Sequence, residues 1–141
     1  MIILDTSGLL AALDASEAHH GAAAQSLRGA QPPRLLSPFV LAELDYLLAR
    51  RVSPAAARGL LEDVARGAYQ LEAFSADDVD GALAVLKRYP ALDLGLADAS
   101  LVVLAERHRA VQILTLDERH FRVLRGHAGR PFQILPADAA A

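Results

Sequence analysis

Residues 111–117 read Val-Gln-Ile-Leu-Thr-Leu-Asp, a short apolar run with β-branched residues that ends in an acid. Such a run is typical of a strand that is buried on both faces of a sheet. The segment before it, residues 96–108, places its apolar residues at helical spacing. Because helices that alternate with buried strands are the pattern of parallel sheets, this stretch predicts an α/β protein.

The same alternation extends over the rest of the chain. Residues 2–4 predict a buried strand that ends at Asp5, and further strands are predicted at 34–36, 69–74 and 132–135. Helical patterns separate these runs. We therefore predict a mostly parallel central sheet flanked by helices on both faces.

Three serines mark predicted helix starts. Ser37 and Ser53 each precede a proline, which suits the first position of a helix, and Ser75 precedes a capping-box pattern. The length of 141 residues fits a single domain over residues 1–141. The Ala-rich end, residues 136–141, is predicted to be a disordered tail.

Composition excludes several classes of protein. The chain has no cysteine, which removes disulfide scaffolds, thiolate nucleophiles and cysteine-based zinc sites. Its first apolar run is too short for a signal peptide, and no run approaches the roughly 20 apolar residues that cross a bilayer. We expect a cytoplasmic protein without membrane association. The formal net charge of -3 argues against a uniformly basic nucleic-acid-binding surface.

Four acids stand out from the surface acids. Asp5 and Asp117 each close a predicted strand, and ligands of parallel sheets bind at the carboxyl ends of strands. Glu43 and Asp98 interrupt apolar stripes of their helices, where a carboxylate costs several kcal/mol unless it is paired or bound to a metal. Converging acids repel one another, and divalent cations relieve that repulsion. An all-oxygen set favours Mg²⁺ or Mn²⁺.

Other residues are secondary candidates. Hydroxyl groups that could support the acids belong to Thr6, Ser7 and Thr115. Asp93 could join the site from its loop, although an acid near a helix start is more often a cap. Arg119 and Arg122 follow Asp117 and could bind phosphate groups. We assign all five histidines, His19, His20, His108, His120 and His127, to structural or surface positions.

Four segments resemble the PIN-domain nucleases. They are ILDTS at residues 3–7, LAEL at 41–44, LADAS at 96–100 and LTLDERHF at 114–121. Their order and the chain length are similar to the VapC toxins of type II toxin–antitoxin systems. The resemblance implies an endoribonuclease that depends on Mg²⁺ or Mn²⁺. It implies that the catalytic and metal-binding residues are Asp5, Glu43, Asp98 and Asp117.

The resemblance also implies partners. These are an RNA substrate, a second copy of the chain in a homodimer, and a cognate antitoxin, which in this family often inserts a basic side chain into the acidic pocket. The alternative is a non-catalytic PIN-like module that binds protein or RNA. A phosphotransferase of the haloacid-dehalogenase type is disfavoured, because Ser7 occupies the position of its second aspartate and Lys87 is the sole lysine.

Overall fold

Five short parallel strands form the centre of the molecule over residues 1–139, the part of the chain that the structure, a computed structural model, describes. They are β1 (Ile2–Leu4), β2 (Arg34–Leu36), β3 (Gln70–Leu71), β4 (Gln112–Leu114) and β5 (Gln133–Leu135). Their order across the sheet is β3-β2-β1-β4-β5, and every pairing is parallel. The predicted fold class is confirmed.

Seven α-helices flank this sheet within residues 1–139. They are α1 (Thr6–Leu13), α2 (His20–Gly29), α3 (Pro38–Arg51), α4 (Pro54–Ala65), α5 (Ala76–Arg88), α6 (Leu96–His108) and α7 (Glu118–Phe121). The serine caps predicted for α3, α4 and α5 are present, since each hydroxyl accepts a backbone N–H of its helix. None of the helices in the described range is long and apolar enough to cross a bilayer.

The central strands are apolar because both of their faces are covered. All three residues of β1 are fully buried, as are Ile113 and Leu114 of β4. Burial of each such side chain stabilises the fold by about 1.5–3 kcal/mol. The strands are therefore continuous apolar runs, and they lack the alternation of apolar and polar residues that is typical of a strand with one face in water.

The strand order creates a crevice between β1 and β4. The chain leaves β1 toward β2 on one side, whereas it leaves β4 toward β5 on the other side. In open α/β sheets, ligands bind outside the carboxyl ends of strands at such a switch point. The Asp5 N–H donates to the Leu114 carbonyl at 3.0 Å, so the ends of β1 and β4 lie level. Acids that follow these two strands therefore emerge at the same place.

Strand β3 is shorter than the predicted strand 69–74. It keeps only Gln70 and Leu71, and the side chain of the next residue, Glu72, is buried. The buried Glu72 carboxylate accepts from Gln70 at 3.0 Å and from Arg107 at 3.2 Å, and it contacts His108. This polar cluster joins the edge of the sheet to the end of α6.

The C-terminal segment differs from the predicted disordered tail. Residues 136–138 form a turn after β5. The Asp138 carboxylate accepts the Ile134 N–H at 2.8 Å and two hydrogen bonds from the Arg122 guanidinium at 2.7 and 2.8 Å. Residues 140–141 of the predicted tail lie outside the described residues.

Candidate active site

One cavity of about 410 Å³ lies at the carboxyl ends of β1 and β4. Its lining includes all four of the acids singled out in the sequence, Asp5, Glu43, Asp98 and Asp117, together with Thr6 and Ser7. Asp5 directly follows β1, and Asp117 lies three residues beyond β4. Glu43 projects from α3 and Asp98 from the first turn of α6. The fold thus brings acids from four separate parts of the sequence to one cavity.

Asp5 is the most buried of the four acids, with 5% of its surface exposed. It occupies the N-cap position of α1, yet its side chain makes no capping hydrogen bond. Instead its Oδ2 accepts from the Thr115 hydroxyl at 2.6 Å, and the Ser7 hydroxyl lies 3.3 Å away. Two hydroxyl groups therefore hold this carboxylate at the cavity wall.

The same hydroxyl groups fix the loop that follows β4. The Thr115 Oγ1 accepts the Asp117 N–H at 2.9 Å, and the Ser7 Oγ accepts the Leu116 N–H at 2.9 Å. Each hydroxyl can accept these bonds and still donate its proton toward Asp5. These hydrogen bonds thus fix the position of the Asp117 backbone relative to the Asp5 carboxylate.

Burial, together with repulsion between neighbouring carboxylates, raises the pKa values of Asp5 and Glu43. Burial raises the pKa of Asp5 to about 6; the Thr115 hydrogen bond opposes this rise, and the charges of Asp98 and Asp117 add to it. Burial and the charge of Asp98 also raise the pKa of Glu43. A bound cation would reverse these shifts, because opposite charge favours the ionised carboxylate.

Asp98 and Asp117 each use one oxygen for helix capping. The Gly95 N–H donates to Asp98 Oδ2 at 3.1 Å, and the His120 N–H donates to Asp117 Oδ1 at 3.0 Å. A carboxylate has further acceptor sites, so both acids keep capacity for another ligand. Donor atoms of Asp98, Asp117 and His120 lie within 4.8 Å of one another. This donor set, beside the repelling acids, fits a divalent cation.

Comparison with known families decides the identity of the fold. Residues 2–126 match the family described as the PIN domain. The chain belongs to the PIN-domain family. The resemblance seen in the sequence is therefore confirmed.

Similar proteins include named VapC proteins of Mycobacterium tuberculosis. The chain is 42% identical over 135 residues to Ribonuclease VapC26, a match that covers 96% of this chain and all of that protein. The crystal structure of VapC20, described as a sarcin–ricin-loop-cleaving toxin, superposes with a TM-score of 0.77. That match has 26% identity and covers 83% of this PIN-domain chain and 90% of VapC20.

A more distant structure shares the fold. A toxin–antitoxin complex from Klebsiella pneumoniae matches with a TM-score of 0.68 at 19% identity, over 88% of this chain and 92% of that one. At this identity the match supports the PIN fold alone.

Three secondary candidates lie apart from the cavity lining. Asp93 is exposed in the turn before α6 with a φ of 54°, and within the described residues it does not line the cavity. Arg119 is exposed on α7. The Arg122 guanidinium binds Glu118 and Asp138, and it lowers the pKa of Asp138 to about 2. Arg122 is therefore paired with two acids, and its role in phosphate binding stays a prediction.

Two further residues of this PIN domain were missed as site residues. His120, assigned from the sequence to a structural or surface position, lies beside Asp98 and Asp117. Its spacing of three residues from Asp117 was the available signal, because positions i and i+3 of a helical turn are neighbours. Arg51 lines the cavity from the end of α3. It follows Glu43 by eight residues, or two steps of four, and so shares a helix face with it.

Proposed function

We propose that this PIN-domain protein is a cytoplasmic endoribonuclease that hydrolyses RNA phosphodiesters with Mg²⁺ or Mn²⁺ as cofactor. One observation carries the proposal: Asp5, Glu43, Asp98 and Asp117 line one cavity at the switch point of the sheet. The similarity to Ribonuclease VapC26 supports the nuclease activity.

The four acids would hold the cation in this mechanism. A bound divalent cation supplies positive charge to the phosphate and lowers the pKa of a neighbouring water molecule. Thr115 and Ser7 keep the Asp5 carboxylate directed at the cavity through their hydrogen bonds. Glu43 lines the cavity from an exposed position on α3, where its carboxylate would complete the set of oxygen ligands around the cation.

We also propose that the protein is the toxin of a toxin–antitoxin pair and that it acts as a homodimer restrained by a cognate antitoxin. The similarity to VapC20, a named toxin, supports the first part of this proposal. A basic antitoxin side chain would be attracted to the same acidic cavity.

The variant Asp98→Asn tests the nuclease proposal. We expect cleavage of a fluorescent RNA by the purified wild-type chain with Mg²⁺ or Mn²⁺, and none with excess EDTA. The amide removes a charged ligand while keeping the shape of the side chain, so cleavage should fall at least about 100-fold. Mutation of a residue that only hydrogen-bonds to a metal ligand already lowers metal affinity or activity by about 10–100-fold.

Asp45→Asn is the matched control, because Asp45 is an exposed acid of α3 outside the cavity lining. It should cleave at the wild-type rate, and both variants should keep the circular dichroism spectrum of the wild type. Cleavage that persists in EDTA, or in folded Asp98→Asn, would refute the assignment. RNA binding without cleavage by the wild type would favour the non-catalytic module.

Arg51 is the residue that we propose for RNA phosphate binding at this cavity. Glu43, Leu47 and Arg51 are spaced by four and all line the cavity from one face of α3. Among the lining residues in the described part of the chain, Arg51 alone carries a permanent positive charge. A phosphate approaching the acids would pass this guanidinium, which can bind two phosphate oxygens at once.

Replacement of Arg51 by alanine should weaken RNA binding. We expect about a ten-fold loss of affinity, since a charge-assisted hydrogen bond contributes about 1.5 kcal/mol. The slope of log affinity against log salt should fall by about 0.7, the value for one phosphate contact with a single strand. Binding is measured by fluorescence anisotropy in the non-cleaving Asp98→Asn background. Arg66→Ala, which removes an exposed arginine paired with Asp63 on α4, is the control. Equal slopes for Arg51→Ala and Arg66→Ala would contradict this role.

A further inference from the structure

One turn of helix places an imidazole beside two carboxylates of the cavity. Asp117 caps α7, and His120 lies three residues later within that helix. A carboxylate oxygen of Asp117, one of Asp98 and a ring nitrogen of His120 all lie within 4.8 Å of one another. This spacing lets the three side chains contact one small ion together.

The His120 imidazole is mostly buried, and its ring nitrogens have no hydrogen-bond partner within the described residues. Its side chain is 15% exposed, and both ring nitrogens are inaccessible to solvent and make no hydrogen bond within residues 1–139. Nδ1 lies 2.7 Å from Asp117 Oδ2, but this contact lacks hydrogen-bond geometry. A buried polar atom left unpaired destabilises the fold, and coordination of the nitrogen to a metal ion would remove that cost.

We propose that His120 is a nitrogen ligand of the cation held by Asp98 and Asp117, an inference that rests on the proposed metal-dependent function. Ligand type then decides which ion binds better. Mg²⁺ takes oxygen ligands, whereas imidazole nitrogen suits first-row transition ions. The site therefore prefers Mn²⁺ to Mg²⁺, in contrast to the all-oxygen site that the sequence predicted.

A positioning role is the competing explanation. His120 could act only through Asp117, because its backbone N–H already donates to Asp117 Oδ1. That role gives no direct bond between nitrogen and metal, and its loss would weaken the binding of Mn²⁺ and Mg²⁺ alike. A ligand role gives a nitrogen signal on the metal and affects Mn²⁺ more than Mg²⁺.

The test combines metal titration with electron spin spectroscopy on the full chain. Free Mn²⁺ is followed by its EPR signal as metal-free protein is added, and Mg²⁺ is then used as a competitor. We expect His120→Ala to weaken Mn²⁺ binding at least about ten-fold and to narrow the preference for Mn²⁺ over Mg²⁺. Electron spin echo modulation of the wild-type Mn²⁺ complex should show coupling to an imidazole nitrogen.

His127→Ala is the matched control. His127 also lies beside an acid, with Nδ1 3.0 Å from Glu106 Oε1, but it does not belong to the donor group of Asp98, Asp117 and His120. Its replacement should leave Mn²⁺ affinity and the nitrogen coupling unchanged. Melting of each variant without metal checks that the fold survives. If His120→Ala fails to fold, the presence or absence of nitrogen coupling in the wild-type Mn²⁺ complex still tests the ligand role.

The outcomes separate this inference from the proposed function. A wild-type Mn²⁺ complex without nitrogen coupling would overturn the ligand role of His120 and leave the metal-dependent nuclease standing. Equal losses of Mn²⁺ and Mg²⁺ affinity in His120→Ala would do the same. A wild-type chain that binds neither ion would refute the proposed metal-dependent function itself.

Discussion

Asp5→Asn should stabilise the metal-free protein while it abolishes RNA cleavage. The Asp5 pKa rises from 3.8 in the unfolded chain to about 6 in the fold, chiefly through burial. The folded state therefore holds the proton between these two values, so stability falls as the pH rises through this window. Above pH 7 the ionised Asp5 costs about 3 kcal/mol, since one pKa unit corresponds to about 1.4 kcal/mol. An asparagine carries no such penalty.

The measurement is the free energy of unfolding in urea with EDTA, between pH 4 and pH 8. Asp5→Asn should exceed the wild type by up to about 3 kcal/mol at pH 8 and by little at pH 4, because carboxylates far from Asp5 titrate equally in both proteins. Saturating Mn²⁺ should stabilise only the wild type strongly. Asp45→Asn, at an exposed position, should change stability by less than about 0.5 kcal/mol. If Asp5→Asn is less stable than the wild type at pH 8, the ionised Asp5 carboxylate does not destabilise the fold.

The strands and the cavity acids could be predicted from the sequence because both follow from local sequence patterns. A buried strand needs a continuous apolar run, and an acid directly after such a run falls at the sheet edge where ligands bind. Asp5 was found in this way. Glu43 and Asp98 were found because each breaks an apolar helical stripe. Their roles as ligands stay a prediction, whereas their places in the cavity lining are structural facts.

Side-chain contacts between residues far apart in the sequence could not be predicted from the sequence. Arg122 binds Asp138 across sixteen residues, a pairing that depends on how the chain turns after β5. That pairing joins residues 136–138 to the end of α7. Glu72 is a similar case, since its buried carboxylate binds Arg107 of α6. No local pattern encodes either contact.

Gly8 is the position where the fold tolerates no side chain. It lies in α1, three residues after Asp5, and α1 packs there against the end of β4. A Cβ atom on Gly8 would lie 2.3 Å from the Leu114 carbonyl oxygen and 2.7 Å from the Thr115 nitrogen. Both are backbone atoms of a central strand end. The Leu114 oxygen also accepts the Asp5 N–H, and the Thr115 N–H donates to Leu135 of β5.

Gly8→Ala should therefore destabilise the protein by about 3 kcal/mol or more, the upper range for overpacking a core, and lower its melting temperature by roughly 10 °C. Gly21→Ala is the control, because Gly21 is an exposed residue of α2 and a Cβ atom there would meet nothing within 4 Å. That change should stabilise by up to about 1 kcal/mol, as alanine favours helix. A melting temperature of Gly8→Ala that is no lower than that of Gly21→Ala would contradict the close packing of α1 against the end of β4. That packing holds Asp5 against Thr115.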